Sequence, residues 1–371
     1  MGLKPVYYLA DFKSGNLLDV LPVENVSLSS RLEPGVMNAS LDLRKTGRPM
    51  AEARALLEQL KYGRASLVPV LEGLSTGAGN PATSRALGEW WISKVSGTYR
   101  DPIVSLSGPE FAGYTAHLLN AEPFKGTLDP VVTARKMLSL AFTYSQDIVV
   151  NLQSWVSSNG TKVEVDVRDA TENYLAAIQD LQASPGGPFE WVIRAGLVQS
   201  GGSPTRVTRT LLVGQPVLAR ARDDITLEVT APGQAPASLL DASWGLDEGA
   251  SATNLNGFGA GHGADQIGPV HESRRRVAGE PGKSRMITNP AAMTAAQMRR
   301  TVRAALEKFT PENQTFTAVM PVDRYTPSVG ERYQWRADES WTRPAESGTC
   351  RCAGWSWRSS APENYQLELV R

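Results

Sequence analysis

The opening of the chain, residues 7–43, constrains the fold most, because short apolar runs alternate with turn signals and no helical period is present. Breaks occur at Ser14-Gly15-Asn16, at Pro22 and at Pro34-Gly35. The strands predicted between these breaks are Tyr7–Phe12, Leu17–Leu21, Asn25–Leu32 and Val36–Leu43. The opening is therefore predicted to be a β-meander, and it contains no nucleophile motif, phosphate loop or metal-ligand cluster.

Helical periodicity appears further along the chain. Apolar residues recur at helical spacing in Pro49–Tyr62 and, most clearly, in Thr294–Phe309. Asp129 and Thr171 are predicted to cap two more helices. Between those helices, Lys162–Val167 alternates polar and apolar residues as a half-buried strand does.

The other segments are predicted to be mostly strands, with one additional helix at Glu110–Leu119. Phe189, Trp191 and Ile193 share one strand face by the two-residue period, which predicts an aromatic side facing the core. The predicted strands are Ser66–Leu71, Glu89–Ser96, Ile103–Ser107, Phe189–Leu197, Arg206–Val213, Ile225–Val229, Ser251–Gly257, Phe316–Val319, Tyr333–Arg336, Cys352–Trp357 and Tyr365–Val370.

This order of a β block, helices and a second β block predicts a β-dominated α+β fold with two related barrels. The predicted division is a first β domain over residues 1–125, a helical lateral subdomain over 126–185 and a second β domain over 186–371. The last of these contains helix 294–309 and the C-terminal strands. A length of 371 residues with 41% hydrophobic residues is enough for such cores.

Charge and hydropathy exclude several functional classes. The 38 basic residues balance the 38 acidic ones, which argues against a dedicated, specific binder of nucleic acid. No apolar run reaches the roughly 18 residues needed to span a bilayer, and no secretory signal follows the first methionine. The sequence therefore predicts a soluble protein made in the cytoplasm, without stable membrane insertion.

Cys350 and Cys352 are the only cysteines, and with one residue between them they are predicted to be reduced thiols on one strand face. A zinc site would need two more ligands from the three histidines His117, His262 and His271, none of which shows the paired spacing of a zinc motif. No metal site is predicted.

Gly257–Ala264 (GFGAGHGA) nominally fits a dinucleotide-binding fingerprint. That fingerprint requires a following helix whose N-terminal amides face the pyrophosphate, whereas Asp265–Pro269 cannot form a helix. The stretch is therefore interpreted as a flexible turn or bulge next to another chain, and no cofactor is predicted.

Two histidines with carboxylates near them are candidates for acid–base chemistry, and two pairs of adjacent acidic residues are candidates for glycoside cleavage. A nucleophilic triad also needs an activated Ser or Cys, and the chain has no Gly-x-Ser-x-Gly elbow. Paired acidic residues in polar loops are typical of solvated surface, so no catalytic residue is predicted. The acid–base candidates are His262 and His271 with Asp247, Glu248, Asp265 or Glu272 as partners, and the carboxylate pairs are Asp223-Asp224 and Asp247-Glu248.

Two further features leave alternatives open. Ser273–Val277 and Lys283–Arg285 form the only basic concentration, which is either a solvated loop or a contact with phosphate or an acidic neighbouring subunit. Trp355 and Trp357 share one strand face, where they belong to the core, to a subunit contact or to a sugar-stacking platform.

The order of these pieces resembles the minor tail proteins of long-tailed actinobacterial phages. The opening carries the resemblance through the Leu21-Pro22 step, Arg31-Leu32 and the strand from Gly35 through Ala39, Leu41 and Leu43. Later pieces that agree are VSLSGPEFAGYTAHLL, the Gly186–Trp191 step, the Asn254–Gly263 glycine stretch, the Thr294–Phe309 helix and the closing TCRCAGWSWRSSAPENYQLELV hairpin.

The resemblance implies a tail hub protein at the tail tip of a virion. It implies a homotrimer in which each chain contributes two tube-like β-barrel domains, so that three chains meet a hexameric tail tube. Its partners would be the distal tail protein, other tail-tip proteins and the tape-measure protein. The alternative from another class is a virion-associated hydrolase or carbohydrate-binding module that acts on the host envelope, using the acidic loops and Trp355 and Trp357.

Overall fold

The computed structural model describes most of the chain. The described residues are 5–74, 83–98, 100–144, 148–152, 158, 160–167, 173–182, 189–200, 203–215, 217–230, 238–244, 252–261, 263–276, 281–289, 294–308, 315–322, 325–340 and 345–370.

Strands dominate, as the alternating sequence pattern predicts, so the chain is a β-dominated α+β protein. The helices are α1 (Met50–Leu60), α2 (Pro130–Tyr144), α3 (Tyr174–Gln182) and α4 (Ala295–Lys308). The strands are β1 (Val6–Asp11), β2 (Leu17–Val20), β3 (Val23–Arg31), β4 (Val36–Asp42), β5 (Ala65–Leu74), β6 (Thr83–Ala86), β7 (Trp90–Trp91), β8 (Lys94–Gly97), β9 (Ile103–Pro109), β10 (Phe124–Leu128), β11 (Val163–Val167), β12 (Glu190–Ser200), β13 (Ser203–Gly214), β14 (Arg220–Val229), β15 (Asp241–Trp244), β16 (Asn254–Phe258), β17 (Val270–Ser273), β18 (Ser284–Thr288), β19 (Thr315–Pro321), β20 (Glu331–Ala337), β21 (Glu346–Arg358) and β22 (Asn364–Val370).

The main core lies between two sheets. One is five-stranded, in the order β2-β1-β5-β6 with β7 also paired to β5, and the other is ten-stranded. Apolar residues alternate along these strands, so each sheet turns one face inward. Leu9 and Leu67 of the smaller sheet, Leu56 of α1, and Trp357 and Leu367 of the larger sheet belong to one buried cluster.

The ten-stranded sheet joins the two ends of the chain. Its order is β15-β19-β22-β21-β3-β4-β9-β8, with β14 and β20 attached through β21. Strand β21 pairs antiparallel with β3, where Trp355 lies opposite Ser30. Strands from both predicted β domains, 1–125 and 186–371, thus take part in this one sheet, and the domain division itself stays a prediction.

A second core holds the lateral helices. Helices α2 and α3 pack there with the antiparallel pair β10–β11 and with the inner face of β12 and β13. Phe189, Trp191 and Ile193 are all buried in this core, which confirms their predicted shared face. The predicted cap Asp129 accepts hydrogen bonds from two backbone N–H groups of α2. Thr171 lies outside the described residues, and Asn173 accepts a bond from the Ala176 N–H at the start of α3.

Two predicted elements differ from the sequence-based expectation. Glu110–Leu119 contains a 3-10 helix, Phe111–His117, instead of an α-helix. Glu89–Ser96 is not one strand, because β7 pairs with β5 of the smaller sheet whereas β8 pairs with β9 of the larger one. The chain passes from one sheet to the other between Trp91 and Lys94, so a single continuous strand is impossible there.

A third, small core belongs to the sheet β17-β16-β18 and the helix α4 that covers it. Met298, Val302 and Leu306 form the buried stripe of α4, as the sequence predicts. None of the described helices is long and apolar enough to cross a membrane.

Candidate assembly surface

The outer face of the ten-stranded sheet carries mainly small, uncharged polar side chains. Because the inward positions are filled by the main core, the alternate positions must face outward. We call the small uncharged polar residues among them the hydroxyl face, and all of these are exposed or half-buried; the same side also carries charged residues of both signs, such as Lys94 and Asp241. Its members are Ser27, Ser29, Asn38, Ser40, Ser96, Ser105, Ser107, Ser243, Thr317, Ser356 and Gln366.

Strand register makes this face continuous. Ser29 lies opposite Ser356, which lies opposite Gln366 on the next strand, and Gln366 lies opposite Val319. Arg31 and Glu368, which flank this row, form an ion pair with each other. Such a face offers hydrogen-bonding groups and little net charge. It is therefore better suited to water-mediated contacts with another chain than to strong ionic binding.

The sheets end in strands that are paired on one side only among the described residues. These are β15, β8 and β14 in the larger sheet, and β2, β6 and β7 in the smaller one. The free backbone N–H and C=O groups of an edge strand are a template for pairing with another chain. On β2, Leu18 is 52% exposed and Val20 is 50% exposed, and the two share one side of the strand. This apolar edge is the strongest candidate for a protein contact.

The glycine stretch lacks the geometry that the dinucleotide fingerprint requires. Strand β16 ends at Phe258, and the next elements are a 3-10 turn at Gly263–Asp265 and then β17. The Gly259 N–H donates to the Ile267 carbonyl at 2.7 Å, which closes a turn. The required helix does not follow Gly261, so the stretch forms a turn, and its flexibility and its position next to another chain stay predictions.

The residues weighed for acid–base chemistry are not brought together where the structure describes them. His271 is exposed on β17, 2.5 Å from the Asn256 side chain. Glu272 lies between the guanidinium groups of Arg299 and Arg303 on α4, at 3.4 and 3.2 Å. Asp265 and Asp223 are exposed, and Asp224 pairs with Arg222. Asp247, Glu248 and His262 lie outside the described residues.

The basic segments Ser273–Val277 and Lys283–Arg285 belong to the same small unit as two arginines of α4, Arg299 and Arg303. Arg274, Arg275 and Arg276 follow β17, and Lys283 and Arg285 lie at the start of β18. The arginines of α4 that contact Glu272 lie on the same small sheet-and-helix unit. Val277 lies outside the described residues.

Trp355 and Trp357 belong to the core. They are 3% and 2% exposed, and Trp355 makes edge-to-face contacts with Trp90 and Tyr365. A sugar cannot stack on rings that are covered in this way. Cys350 and Cys352 are also buried and free of a disulfide, as predicted.

Sequence reasoning did not identify a cleft lined by arginines. Its side chains come from β6, β12, β14 and the loop before β20, and they surround the buried carboxylate of Glu331. The cleft has a volume of about 310 Å³. Because the contributing arginines are scattered over the sequence, no local motif could have indicated this site.

Comparisons with known proteins agree on the fold. No protein-family model and no curated protein sequence matches this chain. A tail protein from Neisseria meningitidis superposes with a TM-score of 0.61 at 13% identity, over 100% of this chain and 97% of that one. The tail protein of prophage MuSo2 from Shewanella oneidensis gives 0.57 at 7% identity, over 99% and 98%. Prophage tail protein gp18 from Listeria monocytogenes gives 0.52 at 10% identity, over 99% and 94%. The chain therefore has the fold of these phage tail proteins.

Proposed function

We propose that this chain is a structural tail hub protein of a phage virion, a minor tail protein without enzymatic activity. The observation that carries the proposal is the fold similarity to tail proteins over nearly the whole length of both chains. A match of this extent includes both the strand-rich segments and the lateral helices, so it concerns the whole architecture and not one common module.

In this proposal, three copies form a ring that joins the hexameric tail tube to the tail tip and the host-binding proteins. Segments 1–125 and 186–371 act as the two tube-like barrel domains, and segment 126–185 is lateral to them. Six related units then face a sixfold tube, and free sheet edges pair between subunits. The distal tail protein, other tail-tip proteins and the tape-measure protein are the proposed partners, and a siphovirus of actinobacteria is the proposed source.

The surfaces described above have distinct roles in such a ring. The edge strand β2, with exposed Leu18 and Val20, supplies a contact between subunits. The hydroxyl face, which is polar with little net charge, is suited to line the channel, since passing chains find few ionic groups to bind there.

The oligomeric state tests this proposal. Light scattering coupled to size-exclusion chromatography is expected to give a trimer for the wild-type chain and a monomer for the double variant Leu18→Lys/Val20→Lys. Met50→Lys is the matched control, because Met50 is 72% exposed on α1 and lies on no sheet edge. We expect the control to remain trimeric.

Electron microscopy of virions with a labelled copy of the chain tests its location. The label is expected at the tail tip, on a ring of three copies. A chain that is monomeric within intact particles, or absent from them, would contradict the proposal. Cleavage of host envelope glycans that is lost on replacing Asp247 or Glu248 would favour the hydrolase instead.

A further inference from the structure

The arginine-lined cleft is built from segments that are far apart in the sequence. Arg85 lies on β6, Arg194 on β12, and Arg220 and Arg222 on β14, and all four line a space of about 310 Å³. This volume is at the lower end of the range for small-ligand pockets. The cleft therefore concentrates guanidinium groups around a space that is large enough for a small anionic group.

Part of this positive charge is neutralised internally. Glu331 is 1% exposed, and its carboxylate lies 3.4 Å from a guanidinium nitrogen of Arg194 and 3.4 Å from one of Arg222. Tyr333 also donates its hydroxyl to this carboxylate at 2.9 Å. Arg222 pairs in addition with Asp224 through two hydrogen bonds, of 2.9 and 2.8 Å. These contacts fix the two arginines in place.

The remaining charge of the cleft is predominantly positive. The guanidinium of Arg85 lies over the Tyr325 ring, 5.8 Å from its centre, with no described carboxylate within 4.0 Å. Glu110 is the other carboxyl group in the lining, and burial raises its pKa to about 7, so near neutral pH it carries only part of its negative charge. With Asp224, which pairs with Arg222 from outside the lining, three carboxyl groups thus lie against four guanidinium groups.

A pair of buried hydroxyls lies beside this space. Thr326, in the lining, is 7% exposed, and its hydroxyl lies next to that of Tyr365. Because these two hydroxyls are neighbours of each other, the guanidinium groups are what define the site.

We propose that this cleft is a binding site for an oxyanion, a carboxylate or phosphate group, which the guanidinium groups hold through charge-assisted hydrogen bonds. The planar guanidinium donates two parallel N–H bonds to either kind of oxyanion, which a lysine cannot do. The oxyanion comes either from a free small molecule or from an acidic side chain of another polypeptide. This inference does not depend on the proposed tail function.

Calorimetric titration of the full-length chain at low ionic strength tests the site. The three probes are inorganic phosphate, citrate and an acetylated tri-glutamate peptide. Arg85→Gln is the main variant, because Arg85 is exposed and does not contact Glu331, so its loss leaves the buried network intact. Arg135→Gln on α2 is the matched control, an exposed arginine outside the cleft.

We expect at least one probe to bind the wild-type chain, and Arg85→Gln to weaken that binding by about tenfold. The control should bind as the wild type does. Preference for the peptide would identify a polypeptide as the source, and preference for citrate or phosphate would identify a free anion. Protection of Arg85 from phenylglyoxal by the bound probe, measured by mass spectrometry, gives a second readout.

Two results would overturn the inference. One is the absence of binding by all three probes. The other is equal binding by the wild type, Arg85→Gln and Arg135→Gln, which would indicate general attraction to surface charge. Circular dichroism of each variant establishes that it is folded before the titrations are compared.

Discussion

Arg209 and Glu89 form a bidentate ion pair in which both side chains are only 1% exposed. The two hydrogen bonds, from Nε and Nη2 of Arg209 to the carboxylate, are 2.7 and 2.6 Å long. The same guanidinium donates to the backbone carbonyls of Phe12 and Lys13 and lies 4.1 Å from the centre of the Phe111 ring. The pair therefore ties strand β13 to the end of β1 and to the segment before β7.

Breaking this pair should be costly. Arg209→Met leaves the Glu89 carboxylate buried, with the Ser66 hydroxyl, at 2.6 Å, as its remaining side-chain donor among the described residues. We expect the free energy of unfolding, measured in urea, to fall by about 3–5 kcal/mol. The double variant Arg209→Met/Glu89→Leu should be less destabilised than the single one, because it leaves no buried charge. A loss below about 1 kcal/mol in the single variant would show that the pair is not a structural anchor.

Glu110 should make stability depend on pH. Its carboxylate accepts hydrogen bonds from the Ser30 hydroxyl at 2.8 Å and from the Gly35 N–H at 3.2 Å. Burial outweighs these bonds and raises the pKa from 4.5 to about 7. Between these values the folded chain keeps a proton that the unfolded chain has lost, so this group makes stability fall as pH rises.

Glu110→Gln has no such proton to lose. Relative to the wild type, we expect the variant to gain roughly 1–3 kcal/mol of unfolding free energy between pH 4.5 and pH 7. Urea titrations of both proteins at several pH values within this window measure the difference. A difference that stays constant with pH would contradict the assignment.

The sequence predicts much of the secondary structure, because that information is local. The alternation in residues 7–43 and the apolar stripe of 294–309 depend only on neighbouring residues, and both appear as predicted, except that Phe309 lies outside the described residues. The sequence does not indicate the break between β7 and β8, because the two strands separate by pairing with different sheets and no turn signal lies between them.

The Arg209–Glu89 pair and the arginine-lined cleft could not be predicted from the sequence, because the residues that form them are far apart along the chain. Arg209 and Glu89 are 120 positions apart, and Arg194 meets Glu331 across 137 positions. The hydroxyl face could be predicted in part from the sequence. Its outward serines follow from strand alternation, but their union into one surface depends on the pairing of β3 with β21.

The two cysteines should not react in the folded chain. Cys350 is 2% exposed and Cys352 is 0% exposed, and burial raises the pKa of the Cys352 thiol well above its usual range. Because the thiolate is the reactive form, Ellman's reagent should label neither cysteine under native conditions and both after unfolding. Ser105→Cys is a positive control, since Ser105 is exposed, and it should add one fast-reacting thiol. Rapid labelling of the native wild type would disagree with the buried placement.

Gly108 should tolerate no side chain. A Cβ atom at this position would lie 1.8 Å from the Trp91 carbonyl oxygen and 3.0 Å from the Ser93 nitrogen. Both are backbone atoms at the crossing between the two sheets, so they cannot rotate away. We expect Gly108→Ala to lower the free energy of unfolding by roughly 1–3 kcal/mol or more.

The matched control is Gly348→Ala on β21, where the added Cβ meets no atom within 4 Å. Both substitutions restrict the unfolded chain equally, so their difference reports the contact in the folded state. Thermal unfolding should show a clear loss for Gly108→Ala and a change within about 0.5 kcal/mol for the control. Equal melting temperatures for the two variants would mean that the sheets are not held together this closely at Trp91.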